Sequence, residues 1–176
     1  DVSNPAAPSV AGSSDKVWQP KNVVLQYPYA YVGDSIRLKV FDVSNPLSPE
    51  QVGYSGNGWV DGLAIPSPGV LVGARGYYLE IFDIGSDPEN PPNVKTWNAG
   101  TSYTNAQALA GSGSLVYWPS SYDNGLRIID ISDRLNPVEV GFWNPTSMDL
   151  YDIELRNDHV FLADEYPFPG RAVVVD

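Results

Sequence analysis

Apolar runs along this chain are short, and each gives way at once to a polar turn rich in Pro, Asn and Ser. The clearest runs end on an Asp: "RLKVFD" at Asp42, "LEIFD" at Asp83, "LRIID" at Asp130 and "AVVVD" at Asp176. The turns "DVSNPLSP", "DIGSDPENPP" and "DISDRLNP" follow the first three, and the chain itself opens on "DVSNPAAP" from Asp1. These Asp residues lie 41, 41, 47 and 46 positions apart. The pattern therefore divides 1–176 into four copies of one unit, 1–41, 42–82, 83–129 and 130–176, a single repeat domain.

Each unit holds the same series of short strands. After the turn comes "PSVAG", "PEQVGY", "PNVKTW" or "PVEVGFW"; then, past a polar loop, "NVVLQ", "DGLAI", "NAQALA" or "DIELR". A third strand is "YAYVG", "GVLVGA", "SLVYW" or "HVFLAD", and the fourth is the apolar run that ends on the Asp. β-Branched and aromatic residues fill these segments and Gly, Pro, Asn and Asp separate them. No window has a helical period, and 16 Pro with 16 Gly oppose long helices.

Four short strands per unit of this length predict a β-propeller blade. Strands such as "VVLQ" and "RIID" are apolar at nearly consecutive positions, as befits a sheet covered on both faces. The expected fold is all-β: a propeller of four blades, each a four-stranded antiparallel sheet. By its phase, "PSVAG" is the outer strand of the last blade, completing it within its own chain or in a neighbouring copy. Half of an eight-bladed propeller is the second arrangement.

The turn has a local cause. Asp42 ends a strand, Ser44 and Asn45 can accept hydrogen bonds from nearby backbone N–H groups, and Pro46 fixes φ in the bend. Pro8, Pro49 and Pro137 recur seven residues after an Asp, where Pro can begin an outer edge strand. Recurrence in equivalent places marks these residues as structural.

The segments "LKVFDVSNPLSPEQVG", "LEIFDIGSDPENPPNV" and "LRIIDISDRLNPVEVG" resemble the LVIVD repeat, named for its apolar run, with "AVVVD" as a truncated last copy. The resemblance spans the chain. It implies a β-propeller of the kind found in bacteria and archaea, mostly exported or surface-attached and often within larger chains. Unit three departs from the pattern through "GSDPENPP" and "AGSGS".

Charge and composition narrow the chemistry. With 10 Lys and Arg against 21 Asp and Glu, the net charge is −11, which disfavours nucleic acid as a partner. The absence of Cys excludes disulfides, a thiolate nucleophile and Cys-ligated zinc. No apolar run approaches the roughly 20 residues that span a bilayer. A first residue of Asp leads to the expectation of a processed product or a piece of a longer chain. His159 is the one histidine, so a His-rich metal site and a Cys–His pair are excluded within the chain. The serines of "AGSSD" and "AGSGS" lack a nucleophile-elbow pattern, and no P-loop occurs.

Two constellations remain. Asn22, Asp61, Asn105 and Asp152 stand at the start of the strand expected to line the central channel, where a ring of oxygens could hold Ca²⁺ or ordered water. The alternative is that each caps its own strand. Asp34, Asp123, Asp164 and Glu165 form a second, weaker cation candidate on loops. Trp18, Trp59, Tyr103 and Tyr151 precede the inner strands and would form an aromatic rim patch for a protein or glycan, or else plugs between blades.

The expected function is a non-catalytic structural, adhesion or scaffold module outside the cell or at its surface. It would need no cofactor, and its partners would be copies of itself, neighbouring repeats, surface proteins or glycans. Head-to-tail strand complementation could build it into a filament or surface layer. The alternatives are an exported hydrolase or lyase with its site in the channel, and half of an eight-bladed ligand-binding propeller.

Overall fold

The computed structural model describes residues 1–100, 108–120, 125–144, 148–165 and 169–176. Among them no segment is helical, and the strands fall into four antiparallel sheets. Strands β1 (Asn22–Gln26), β2 (Tyr29–Gly33), β3 (Leu38–Asp42) and β4 (Glu50–Ser55) form the first sheet, hydrogen-bonded in chain order. The second repeats that order with β5 (Gly62–Ser67), β6 (Val70–Arg75), β7 (Tyr78–Asp83) and β8 (Asn93–Asn98). The third contains β9 (Ala110–Ser112), β10 (Leu115–Ser120), β11 (Gly125–Asp130) and β12 (Val138–Trp143). The fourth has only β13 (Leu150–Arg156), β14 (His159–Asp164) and β15 (Arg171–Val175).

Each of the first three sheets straddles the boundary between two sequence repeats, because the strand after the Asp turn pairs with the strand before it. Thus β4, from the second repeat, closes the first sheet against β3, with Asp42 opposite Glu50. A register shift recurs at this pairing, between Val40 and Phe41 in the first sheet, Ile81 and Phe82 in the second, and Ile128 and Ile129 in the third. Such bulges sharpen the twist of the outer strand.

The sheets stack in chain order through their first strands: β1 lies beside β5, β5 beside β9, and β9 beside β13. Three apolar clusters fill the junctions. Tyr31, Leu38 and Val40 of the first sheet pack on Leu63, Leu71 and Phe82 of the second. Val72, Leu79 and Ile81 pack on Leu109, Val116 and Trp118, and Ala108 and Leu126 pack on Leu150, Ile153 and Leu162. The β-branched and aromatic positions read as strands therefore serve both faces of the inner sheets, as the near-continuous apolar runs required.

No packing comparable to these joins β13 back to β1 among the described residues. The expected N-terminal strand, Pro8–Gly12, forms no strand, and among the described residues β15 pairs only with β14. The physical reason is distance along the stack: the edge that this segment would extend belongs to the last sheet, whereas the segment is tied to the first. A strand needs a partner edge, and none lies beside it.

Candidate functional site

The side chains with the most chemistry are held by the backbone around them. At the repeated turns, Asp42 Oδ1 accepts the Ser44 N–H at 2.8 Å, Asp130 Oδ1 accepts Ser132 at 2.8 Å, and Asp83 Oδ1 accepts Gly85 and Ser86 at 3.0 and 3.1 Å. Asn45 Oδ1 accepts the Leu47 N–H at 3.1 Å, as expected of a residue that mimics a backbone turn. These N–H donors hold the Asp42, Asp83 and Asp130 carboxyls below the usual carboxylate range.

Asp34 and Asp164 occupy one structural position, the end of the second strand in the first and last sheets. Asp34 is fully buried. Its Oδ1 accepts N–H groups from Ile36 and Arg37, both at 2.8 Å, and its Oδ2 accepts Trp18 N–H at 3.2 Å and faces Lys39 Nζ at 3.1 Å. Burial alone would raise its pKa, but these donors outweigh it and the net direction is down. Asp164 likewise accepts the Asp149 N–H at 2.7 Å and the Arg171 Nε–H at 2.8 Å. Each carboxylate clamps the loop that leads into its own sheet. Of the loop acids grouped in the sequence as a cation candidate, Asp34 and Asp164 thus lie in separate sheets with backbone and cationic partners, Glu165 follows Asp164 on the last sheet, and Asp123 falls outside the described residues.

The inner-strand candidates have different registers. Asn22 opens β1, Asp61 precedes β5, Asp152 is the third residue of β13, and Asn105 lies outside the described residues. Asp152 Oδ1 accepts the N–H of Ile153 at 2.9 Å. Burial pushes the Asp61 carboxyl up, with nearby Lys21 and a hydrogen bond from the Trp59 side chain acting against it. Between these positions the inner strands run too close for large side chains: a Cβ on Gly62 would sit 3.0 Å from the Ala108 backbone, and one on Gly111 would sit 2.6 Å from Pro66. Among the described residues, no three acidic or His side chains converge as a metal site would require.

Of the aromatic candidates, Trp18 and Trp59 stand on loops tied to one residue. The Trp18 N–H binds the Asp34 side chain, and the Val60 N–H binds the Asp34 carbonyl at 3.1 Å, so both loops hang from one residue. Both indoles are exposed. Tyr151 is half-buried in the last sheet, and Tyr103 lies outside the described residues. The aromatics that do plug the blades are Tyr31 and Trp118, fully buried, whose hydroxyl and indole N–H have no hydrogen-bond partner among the described residues.

Apolar residues that belong to no sequence motif also face solvent. Val23 and Leu25 on β1, and Phe161 and Val174 on the last sheet, are exposed. Their strands look like any other inner strand in the sequence, so the signal was present only as apolar positions whose neighbours could not be counted.

Comparison with known proteins supports the fold and the family. The family model for the LVIVD repeat matches residues 1–16, 20–54 and 105–145. No curated protein matches the chain. Among solved structures, the computationally designed Ika4 protein is similar, with 13% identity and a TM-score of 0.69, covering 96% of this chain and 98% of that one. The β-propeller domain of Myceliophteria thermophila Cps50 (Swd1) is also similar, with 10% identity and a TM-score of 0.70 over 93% of this chain. The match covers 53% of that chain, so this protein spans about half its length. At these identities the likeness concerns the fold, which is a β-propeller repeat fold. The chain belongs to the LVIVD repeat family.

Proposed function

We propose that this chain is a non-catalytic propeller module that works outside the cell or at its surface, as a structural or adhesion unit joining other blades of its own kind. One observation carries the reading: the buried carboxylates Asp34 and Asp164, at the ends of the second strands of the first and last sheets, have each oxygen engaged by a backbone N–H or a cationic side chain. A general acid or base needs a free approach to substrate, and these groups have none. What remains for a partner is surface, including the exposed Trp18 and Trp59 indoles and the open faces of the first and last sheets.

Location and chemistry are tested separately. Protease added to intact cells is expected to digest the protein, and recovery of the whole protein in a protected fraction would overturn the placement. Incubation with panels of esters and glycans is expected to give no turnover above buffer. Turnover that disappears in Asp61→Asn or Asp152→Asn would instead establish a hydrolase or lyase.

A further inference from the structure

The two ends of the stack are the two halves of an interior junction. By register on the first strand of each sheet, Val23 corresponds to Leu63, Leu109 and Ile153. The last three are 2%, 7% and 7% exposed because each is covered by the sheet before it, whereas Val23 is 63% exposed. On the opposite face, Phe161 and its cross-strand partner Val174 correspond to Tyr31 with Val40 and to Val72 with Ile81. Those four are fully buried by the sheet that follows and the third sheet's pair, Tyr117 with Ile128, is half-buried, while Phe161 and Val174 are 41% and 54% exposed. The last sheet also forms a shallow concavity of about 460 Å³ on this side, bordered by Glu154, Phe161, Ala163 and Ala172.

A second observation fixes what belongs in front of the first sheet. In the interior, Gly53 on the outer strand β4 seats against the carbonyl of Glu89 in the next sheet's turn, so closely that a Cβ would collide with it. Gly12, 41 positions earlier, seats in the same way against the Pro46 carbonyl in the first sheet's turn. Lys39 Nζ donates to the Lys16 carbonyl and holds the same segment down. The N-terminal segment thus lies where the outer strand of a preceding blade would lie, without that blade's other three strands. The last sheet has those three strands and lacks the outer one.

We infer that a second copy of this chain fills this place: β13, β14 and β15 of one copy stack on Val23 and Leu25 of the other and take its segment 10–12 as their fourth strand. Lys21, on the side of β1 that carries Val23, is exposed, and the concavity on the last sheet carries exposed Asp152 and Glu154 beside Arg171, whose charge is already paired with Asp164. Closure agrees. The four sheets cover 53% of the Cps50 (Swd1) β-propeller chain, so a ring of that size takes roughly as many sheets again, and a second copy brings four. Two copies related by a two-fold axis make the same junction twice and leave no open face, whereas a chain of copies that did not close would grow without limit. This pairing deepens the structural-module reading and rests on it.

The test is sedimentation of the 176-residue chain over a dilution series, with variants Val23→Glu and Val174→Lys. Both side chains are exposed in the single chain, so each variant is expected to keep its folded spectrum and melting temperature at high dilution. The parent is expected at twice the chain mass, and each variant alone should associate at least tenfold more weakly, because a buried lone charge costs more than about 1.4 kcal/mol. Mixing the two variants sets the introduced carboxylate against the introduced ammonium at one junction and leaves the other junction as in the parent, so the mixture is expected to recover the double mass. A parent that stays single at all concentrations, a mass that grows without limit, or variants that pair like the parent would each overturn the closed pair. A monomer without turnover leaves the structural-module reading standing, while turnover of esters or glycans overturns that reading whatever the mass.

Discussion

Asp34 shows how one residue can organise a blade. Its carboxylate accepts three backbone N–H groups and faces Lys39, tying the loop at Trp18 and the hairpin at Ile36 and Arg37 to the end of β2. In Asp34→Asn, Oδ1 can still serve Ile36 and Arg37, but the amide nitrogen would face the Trp18 N–H and the ammonium, both donors. A loss of about 2 kcal/mol or more is expected in urea unfolding. Because the folded pKa of Asp34 is depressed, its contribution is present above the ordinary carboxylate range and lost as pH falls through it; the difference between parent and variant should therefore shrink in acid. Tyr31 makes the opposite case. Burial pushes its hydroxyl up to about 12, and the group has no hydrogen-bond partner among the described residues. Its folded pKa is raised, so the fold loses stability as pH climbs from about 10 toward 12. Tyr31→Phe is expected to be neutral or stabilising at pH 7 and to flatten that alkaline loss, as measured by melting temperature across the range.

Glycines separate what holds a sheet in place from what prepares a contact. Gly53 and Gly12 stand at one position of the repeat, and each lacks room for a Cβ against a neighbouring turn. Gly53 lies within β4, between two formed sheets, so Gly53→Val should lower stability by about 1–3 kcal/mol through overpacking. Gly12 lies outside any strand, and Gly12→Val should leave the melting temperature of the dilute chain nearly unchanged. Equal destabilisation by the two variants would show that the N-terminal segment is part of the single chain's core. The elements themselves were largely legible in the sequence: the Asp turns, the Pro that opens an outer strand and the alternation of short runs are local signals. The carboxylate clamps were not, because Asp34 and Trp18 are 16 positions apart and meet only when the loop folds back.

The whole molecule adds a contrast between chemically similar positions. Leu63→Ala, at the first junction, should cost about 2–5 kcal/mol in chemical denaturation, since it empties a filled cluster. Val23→Ala, at the corresponding position of the first sheet, should stay within about 0.5 kcal/mol at concentrations where the chain is single. A large loss at Val23 under dilution would mean that the first sheet is covered by its own chain. The stack is thus a series of near-identical junctions, each stabilising its neighbours, in the manner of a repeat protein with its end faces open.

Sequence alone determined the repeat, its period, the strand content and the family, because turn chemistry and β-propensity act over a few residues and recur in each unit. It also expected a fourth strand for the last blade, but could not say from which side that strand would come. Tertiary structure decided which polar residues are anchors, which aromatics are core and which valines face solvent. Burial depends on a neighbour that the local pattern does not contain: Val23 and Leu63 belong to equivalent strands, and only the stacking order reveals that Leu63 has a sheet in front of it and Val23 does not.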